Sequence, residues 1–392
     1  MTRRVYMDHA AGKPVASEVL EEMLPYFTDK CGNPSSPHSW GNEARKAMED
    51  SRVKIVNLIA AKKPEEIFFT SGGTESNNLA IKGVALRNKD RGNHIVTTNA
   101  EHMSVMNPCK SLIKQGFDVT FVPVDKFGIV DLRALESAVT DKTTLASICY
   151  ANGEIGTIQP VREIAEIVHR KGASLHMDAV AAAGQVPINV LDENIDLLTI
   201  PSNDMYGPRG IGALYVKTGT RIEPIIQGGG QERGLRSGTE NIPAIVGMGK
   251  AAEIAKAEMR TEGQRLSQLR DQLIKKVSES VPASFLNGHP TQRLPNNASL
   301  RFSYVEGESL ILSLDMMGIA CSSGSACTSK TLEPSHILLA IGLKHEEAHG
   351  SLLFTLGKQN TEEDVEYVAA ALPDIVKRLR AISPLTPKGM LT

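Results

Sequence analysis

Several short segments of the sequence carry residue types that do chemistry. Thr70-Ser71-Gly72-Gly73-Thr74-Glu75 stands between a β-rich run and a helical one. Small residues let a ligand approach the backbone, and a helix N-terminus offers free N–H groups with a partial positive charge. The segment therefore reads as an anion site, most simply for a phosphate, or else as an ordinary strand–helix turn. It matches neither GxGxxG nor the P-loop. Asp178 follows the apolar run Leu175-His176-Met177. An acid at the carboxyl end of a parallel strand faces the crevice where such folds bind ligands, and a helix cap is the plain alternative. In Gly228-Gly229-Gly230-Gln231-Glu232-Arg233-Gly234-Leu235-Arg236-Ser237-Gly238-Thr239, two arginines among glycines and hydroxyls suggest anion binding, against a long ordered loop.

Thiols and imidazoles supply two more candidates. Cys321-Ser322-Ser323-Gly324-Ser325-Ala326-Cys327-Thr328-Ser329-Lys330 is a loop rich in Gly and Ser. A thiol on such a loop can reach a partner, and Lys330 favours a thiolate. Cys321 reads as a small buried hydrophobe at a strand end, whereas Cys327 has polar neighbours. His345-Glu346-Glu347-Ala348-His349 satisfies HExxH, in which histidines at i and i+4 can bind zinc. Gly350 and the strand-like Ser351 to Leu356 follow at once and leave little room for a helix centred on it.

The elements that position these segments alternate. Glu43 to Ala61, Ser76 to Leu86 and Val161 to Lys171 read as helices. Ile67 to Thr70, His94 to Thr98, Val119 to Val124, Thr144 to Tyr150, Leu175 to Met177, Leu197 to Ile200 and Ile211 to Val216 read as short strands. This predicts an α/β fold with a mostly parallel central sheet between helices. After Gly249 a charged helical stretch runs to about Ser280. Then come a strand at Asn297 to Tyr304, helix and strand to Phe354, and a polar helix at Thr361 to Ile382, which together predict a smaller α+β C-terminal domain. The expected division is a large domain over 15–258 and a small one built from 1–14 and 259–392.

Composition narrows the function classes. Across 392 residues, 43 Lys and Arg face 45 Asp and Glu, for a formal net charge of −2. A general nucleic-acid or membrane-surface binder would usually show a basic excess, so neither partner is expected. No apolar run is long enough to cross a bilayer, and Asp8 interrupts the basic N-terminus before any signal-peptide core. Five cysteines in so long a chain are no disulfide framework, which points to a reduced, cytoplasmic protein.

Together these segments resemble the NifS/IscS-type cysteine desulfurases, class V aminotransferases of pyridoxal phosphate (PLP) fold type I. The resemblance spans nearly the whole chain. It runs through Tyr6-Met7-Asp8-His9-Ala10-Ala11, Gly32-Asn33-Pro34-Ser35-Ser36, Thr70 to Asn78, Ala100-Glu101-His102, Asn152-Gly153-Glu154-Ile155-Gly156 and His176-Met177-Asp178-Ala179. It continues through Tyr206-Gly207-Pro208-Arg209-Gly210-Ile211-Gly212, Arg236-Ser237-Gly238-Thr239, Glu306-Gly307-Glu308-Ser309 and Ser322 to Ser329. The resemblance implies that Gly73 and Thr74 hold the PLP phosphate, with Thr239 reaching in from the partner of a homodimer. It implies that His102 stacks on the pyridine ring, Asp178 pairs with its nitrogen, Asn152 contacts its ring oxygen and Asn33 helps hold a cysteine substrate. Cys327 is then the nucleophile that carries sulfur as a persulfide to an IscU-type scaffold protein for iron–sulfur cluster assembly.

The departures are as informative as the matches. The family's lysine, two residues before Tyr-Gly-Pro, joins covalently to PLP, and here the run Pro201-Ser202-Asn203-Asp204-Met205-Tyr206-Gly207-Pro208 puts Asp204 there. A carboxylate can neither form a Schiff base nor act as the amine that shuttles a proton. A phosphate-binding histidine becomes Asn203, a phosphate-binding serine becomes Pro201, and a ring-contacting glutamine becomes Ala181. In Ser351-Leu352-Leu353-Phe354 the substrate-clamping arginine becomes Leu353. Lys13 lies near a pocket segment in the family's pattern, but nothing in the sequence brings it to the cofactor's carbonyl. The expectation is a desulfurase-fold protein of iron–sulfur assembly without its own PLP chemistry, with PLP at most non-covalent. Cys327 would then serve a scaffold as sulfur acceptor or 2Fe–2S ligand. An active PLP-dependent desulfurase and a zinc peptidase using His345 and His349 are the alternatives.

Overall fold

The structure is a computed structural model that describes residues 3–324 and 334–387. Seven strands form the central sheet: β1 (Ile67–Thr70), β2 (His94–Thr98), β3 (Asp118–Val122), β4 (Thr143–Cys149), β5 (Ser174–Asp178), β6 (Leu197–Pro201) and β7 (Gly212–Val216). Their spatial order is 1-7-6-5-4-2-3. Only β7 runs antiparallel to its neighbours, pairing Phe69 with Ala213 and Ile200 with Ala213. Successive side chains on a strand point to opposite faces. Val96, Ala146, Leu198 and Tyr215 accordingly enter one core with Ile55 and Ile245, while Ile95, Leu145, Leu197 and Leu214 enter another with Leu79 and Val84. Helices on both faces explain why these strands read as nearly continuous apolar runs.

Helix α1 (Ser39–Ile59) covers the first face and α2 (Gly73–Arg87) the second. Helix α3 (Ile242–Ser280) has 39 residues and begins well before Gly249, because Asn241 caps it by accepting from Ala244 N and Pro243 occupies its first turn. Its early residues Ile242, Ile245 and Met248 enter the sheet's core, and its later residues Leu266, Leu269, Leu273 and Val277 enter a separate one. At about 1.5 Å per residue the helix spans about 58 Å, enough to serve both. The second core also takes Val5 and Met7, the antiparallel strands Asn297–Phe302 and Ser351–Thr355, and the helix Glu362–Ile382. Among the described residues, no helix is long and apolar enough to cross a membrane.

Candidate functional site

A cavity of about 380 Å³ opens at the carboxyl ends of the strands. That is the size of a small-molecule site and the usual place for one in an α/β sheet. Cys149 ends β4, Asp178 ends β5 and Pro201 ends β6, and all three line it.

The phosphate-type end is the N-terminus of α2. Gly72 precedes it at φ +145°, a conformation reserved for glycine, and a Cβ at Gly73 would lie 2.5 Å from Val180 Cγ2. Thr70 Oγ1 and Ser76 Oγ share a hydrogen bond of 2.7 Å, and Ser71 N donates to Glu75 Oε2 at 2.8 Å. The glycine-rich loop is held close by its own side chains. Arg236 Nε donates to Glu75 at 2.9 Å, and Arg233 donates to the Ile67 carbonyl and stacks 4.3 Å over Phe68. Within the single chain both arginines thus serve the loop's anchorage. Glu232 completes the anchor by accepting from both Arg52 Nη atoms and from Phe69 N.

The middle of the cavity is built around Asp178. Asn77 Nδ2 donates to Asp178 Oδ2 at 2.7 Å and to Ser104 Oγ at 2.8 Å, while Val180 N donates to Asp178 Oδ1. Burial pushes the Asp178 carboxyl upward, and Val180 N, His102 and Asn77 pull it back. His102 caps the following helix, accepting at Nδ1 from Ser104 N. Asn152 is engaged with the backbone. Its Oδ1 accepts from Glu154 N and Ile155 N, and its Nδ2 donates to the Ala100 carbonyl. Below lies Glu101, which burial raises to about 8, and on the wall Glu154, which burial raises to about 7. Glu154 Oε1 is buried without a hydrogen-bond partner among the described residues.

Residue 204 closes the far end. After β6 the chain makes a tight turn over Asn203–Met205, and Tyr206 leaves it at φ +62°. Gly207 is required there, since a Cβ would sit 2.2 Å from Ser202 Oγ. The turn points Asp204 at the cavity. Asn203 Nδ2 donates to its Oδ2 at 2.9 Å, and burial raises its carboxyl to about 6 against the opposing pull of Lys13. Lys13, buried behind the turn, donates from Nζ to the Asp204 carbonyl at 2.7 Å and lies 5.1 Å over the Tyr206 ring. Burial lowers the Lys13 amine, and Asp204 partly restores it.

The structure therefore gathers Gly73, Thr74, His102, Asn152, Asp178 and Asp204 around one cavity, with Pro201, Ala181 and Leu353 in its wall. Asn33 and Thr239 are exposed and do not line it in the single chain. Asn33 Oδ1 instead accepts from Ser35 N. Cys327 lies outside the described residues, so its expected roles as nucleophile and cluster ligand have no geometry here. Cys321 is buried, with its thiol pushed up to about 12. His345 and His349 sit at the two ends of a helix of only five residues, in keeping with the little room that Gly350 and the following strand leave, and both are exposed. Among the described residues no three His, Cys, Asp or Glu side chains assemble as a metal site.

Sequence reasoning missed Asn77, Glu101 and Glu154 as parts of the site. For Asn77 a signal existed, because it lies four residues after Gly73 and so on the same helical face.

The family described as "Aminotransferase class-V" matches residues 5–368. The chain is 57% identical over 380 residues to the protein named cysteine desulfurase IscS 1 of Archaeoglobus fulgidus, covering 97% of this chain and 99% of that one. It is 51% identical over 390 residues to cysteine desulfurase IscS of Methanosarcina thermophila, covering 100% and 96%. A solved structure titled "NIFS-LIKE PROTEIN" superposes with a TM-score of 0.90 at 38% identity, covering 96% of this chain and 100% of that one.

Proposed function

Because the chain belongs to the class-V aminotransferase family, in its NifS/IscS branch, we propose that it serves iron–sulfur cluster assembly without covalent PLP chemistry. It is a homodimer that presents Cys327 to an IscU-type scaffold protein, as sulfur acceptor or as ligand of a 2Fe–2S cluster. The observation that supports this reading is Asp204, a carboxyl facing the cavity where the family has its lysine.

PLP is the cofactor that the family implies, and the residues suit it only in part. The α2 N-terminus, Asp178 with Asn77, and His102 match a pyridine phosphate. The described residues that line the cavity include no lysine and no arginine, but three acids, Glu154, Asp178 and Asp204. At about 5 Å and an effective dielectric near 20, each unit charge pair is worth about 3 kcal/mol, so exchanging a lysine for Asp204 reverses a term of that size beside an anionic cofactor. The cavity does not fit PLP held as the family holds it. Leu353 likewise offers no donor to a substrate carboxylate.

The test is to mix the protein with an IscU-type scaffold, ferric iron and sulfide. Cluster retention by the complex should be lost in Cys327→Ser, and a variant that retains both complex and cluster refutes the role. The second reading, an active PLP-dependent cysteine desulfurase, is favoured by the names of the relatives and by the retained Asp178, Asn77 and His102. Alanine formation from L-cysteine, with sulfide released when a thiol reductant is present, supports it.

A further inference from the structure

A second hollow, of about 770 Å³, lies on the other side of the N-terminal segment. Ala10 and Ala11 line the cavity described above, whereas His9, Gly12 and Lys13 line this one. Its volume is within the range of small-molecule sites. Its chemistry is the inverse of the cavity's. Three cations, Arg4, Lys13 and Arg209, line it with one acid, Asp364. That acid is already engaged, since Arg3 Nη2 donates to its Oδ1 at 2.8 Å and Thr361 N to its Oδ2 at 3.1 Å. His9 is neutral near pH 7, because burial and Lys13 lower it to about 4. Lys13 Nζ is spent on the Asp204 carbonyl.

Arg4 and Arg209 are different. Both are exposed, and neither has a hydrogen-bond or ion-pair partner among the described residues. Arg265 and Arg293, by contrast, spend their donors on carbonyls, those of Gly357 and Asn360 for the first and of Asn287 and His289 for the second. Arg209 is also held in place. A Cβ at Gly12 would lie 2.2 Å from its Nη2, so the bare backbone there makes the room in which the guanidinium sits. Tyr6 fixes that backbone, its hydroxyl donating to the Asp8 and Gly12 carbonyls at 2.9 Å each.

We propose that this hollow binds a small organic phosphate, whose oxygens take the N–H groups of Arg4 and Arg209 and whose carbon body lies against Tyr6, Pro14 and Val15. A guanidinium presents five donors and no acceptor, in a fork that suits phosphate. Two arginines from separate segments call for more than one negative charge. A phosphate monoester carries close to two at neutral pH, and a carboxylate only one. The hollow has room for more than an inorganic ion, and Tyr6 and Val15, 44% and 39% exposed, offer apolar surface for a ligand to cover. The proposal goes beyond the assembly role and does not depend on it.

Equilibrium dialysis of the purified full chain at about pH 7.5 and low salt tests the proposal. The probe is phenyl phosphate, and benzoate, the same ring with a single charge, is the comparison. Phenyl phosphate should bind more tightly than benzoate. Arg209→Gln and Arg4→Gln should each weaken it at least about tenfold, the effect of losing a charge-assisted hydrogen bond. Arg133→Gln, which removes an exposed arginine on the helix Leu132–Ala138, outside the hollow, should leave it unchanged and so controls for net charge. All three positions are exposed, so the variants should fold. No binding of phenyl phosphate, binding no tighter than that of benzoate, equal binding by the natural chain and both hollow variants, or an equal loss in Arg133→Gln overturns the proposal. A phosphate held instead at Gly73 in the first cavity gives the third of these results. None of the measurements involves residue 204, Cys327 or a cluster, so their failure leaves the scaffold role standing.

Discussion

Replacing Asp204 by lysine should return to this cavity the ability to capture PLP covalently. The local charges set the size of the effect. In the natural chain, Asp204 faces Asp178, which pushes its carboxyl up, and Lys13, which pulls it down. Lysine at 204 reverses both relations. At about 5 Å and an effective dielectric near 20, it gains about 3 kcal/mol from Asp178 and loses about as much to Lys13. The two terms offset, so the variant should fold, and repulsion from Lys13 should keep the new amine neutral more of the time than an exposed lysine. A neutral amine is what an aldehyde captures. The assay is visible absorbance that survives gel filtration, followed by borohydride reduction and mass measurement of residue 204. Near-stoichiometric attachment is expected, against none in the natural protein. Adding Lys13→Met should stabilise the Asp204→Lys variant yet destabilise the natural chain, because it relieves a repulsion in one and strands a carboxylate in the other. Attachment unchanged by Asp204→Lys, or the same sign of the Lys13→Met effect in both backgrounds, would refute the reasoning about this wall.

Other outcomes follow from the same geometry. Asp204→Lys alone should not restore desulfuration of L-cysteine, since Leu353 still supplies no bidentate donor. Sulfide release should appear only after Leu353→Arg is added, if that arginine is tolerated at a site now 3% exposed. Glu232→Ala should cost about 3–5 kcal/mol in urea denaturation, because it leaves the Arg52 guanidinium, 1% exposed, without its buried partner. Glu101 titrates near 8 when folded and near the ordinary carboxylate value when unfolded. The folded state therefore holds its proton more tightly, and this contribution to stability is full below about pH 4.5 and lost as pH rises to about 8. Glu101→Gln should flatten the fall in melting temperature across that window, and an unaltered slope would count against a buried proton there. Gly324→Ala should destabilise the fold by at least about 1 kcal/mol, since residue 324 has φ +84° and a Cβ would meet Glu154 Cγ at 2.6 Å.

Much of the fold was legible because its strands are buried on both faces. Unbroken apolar runs such as Leu197 to Ile200 announce a sheet with helices above and below. The start of the long helix was not, because Ile242 to Gly249 is apolar and small where it docks on the sheet, and only the charged remainder has the look of a free helix. The two ends of the cavity were visible in the Gly72-Gly73-Thr74 turn and in the lysine missing from position 204. Glu154 and Glu101 were invisible as buried acids, since a carboxylate in sequence reads as solvated until tertiary packing encloses it. The anchoring of the arginines at 233 and 236 was hidden for the complementary reason: their partners, the Ile67 carbonyl and Glu75, lie some 160 positions away in the chain and meet them only on folding.

Sulfide release from L-cysteine by the natural chain, with PLP in excess, dithiothreitol present to reduce any persulfide and no other amine enzyme present, bears most directly on the loss of covalent chemistry at residue 204. The expected rate is that of PLP alone in buffer. Sustained turnover above that rate, with alanine formed in equal amount, would contradict it.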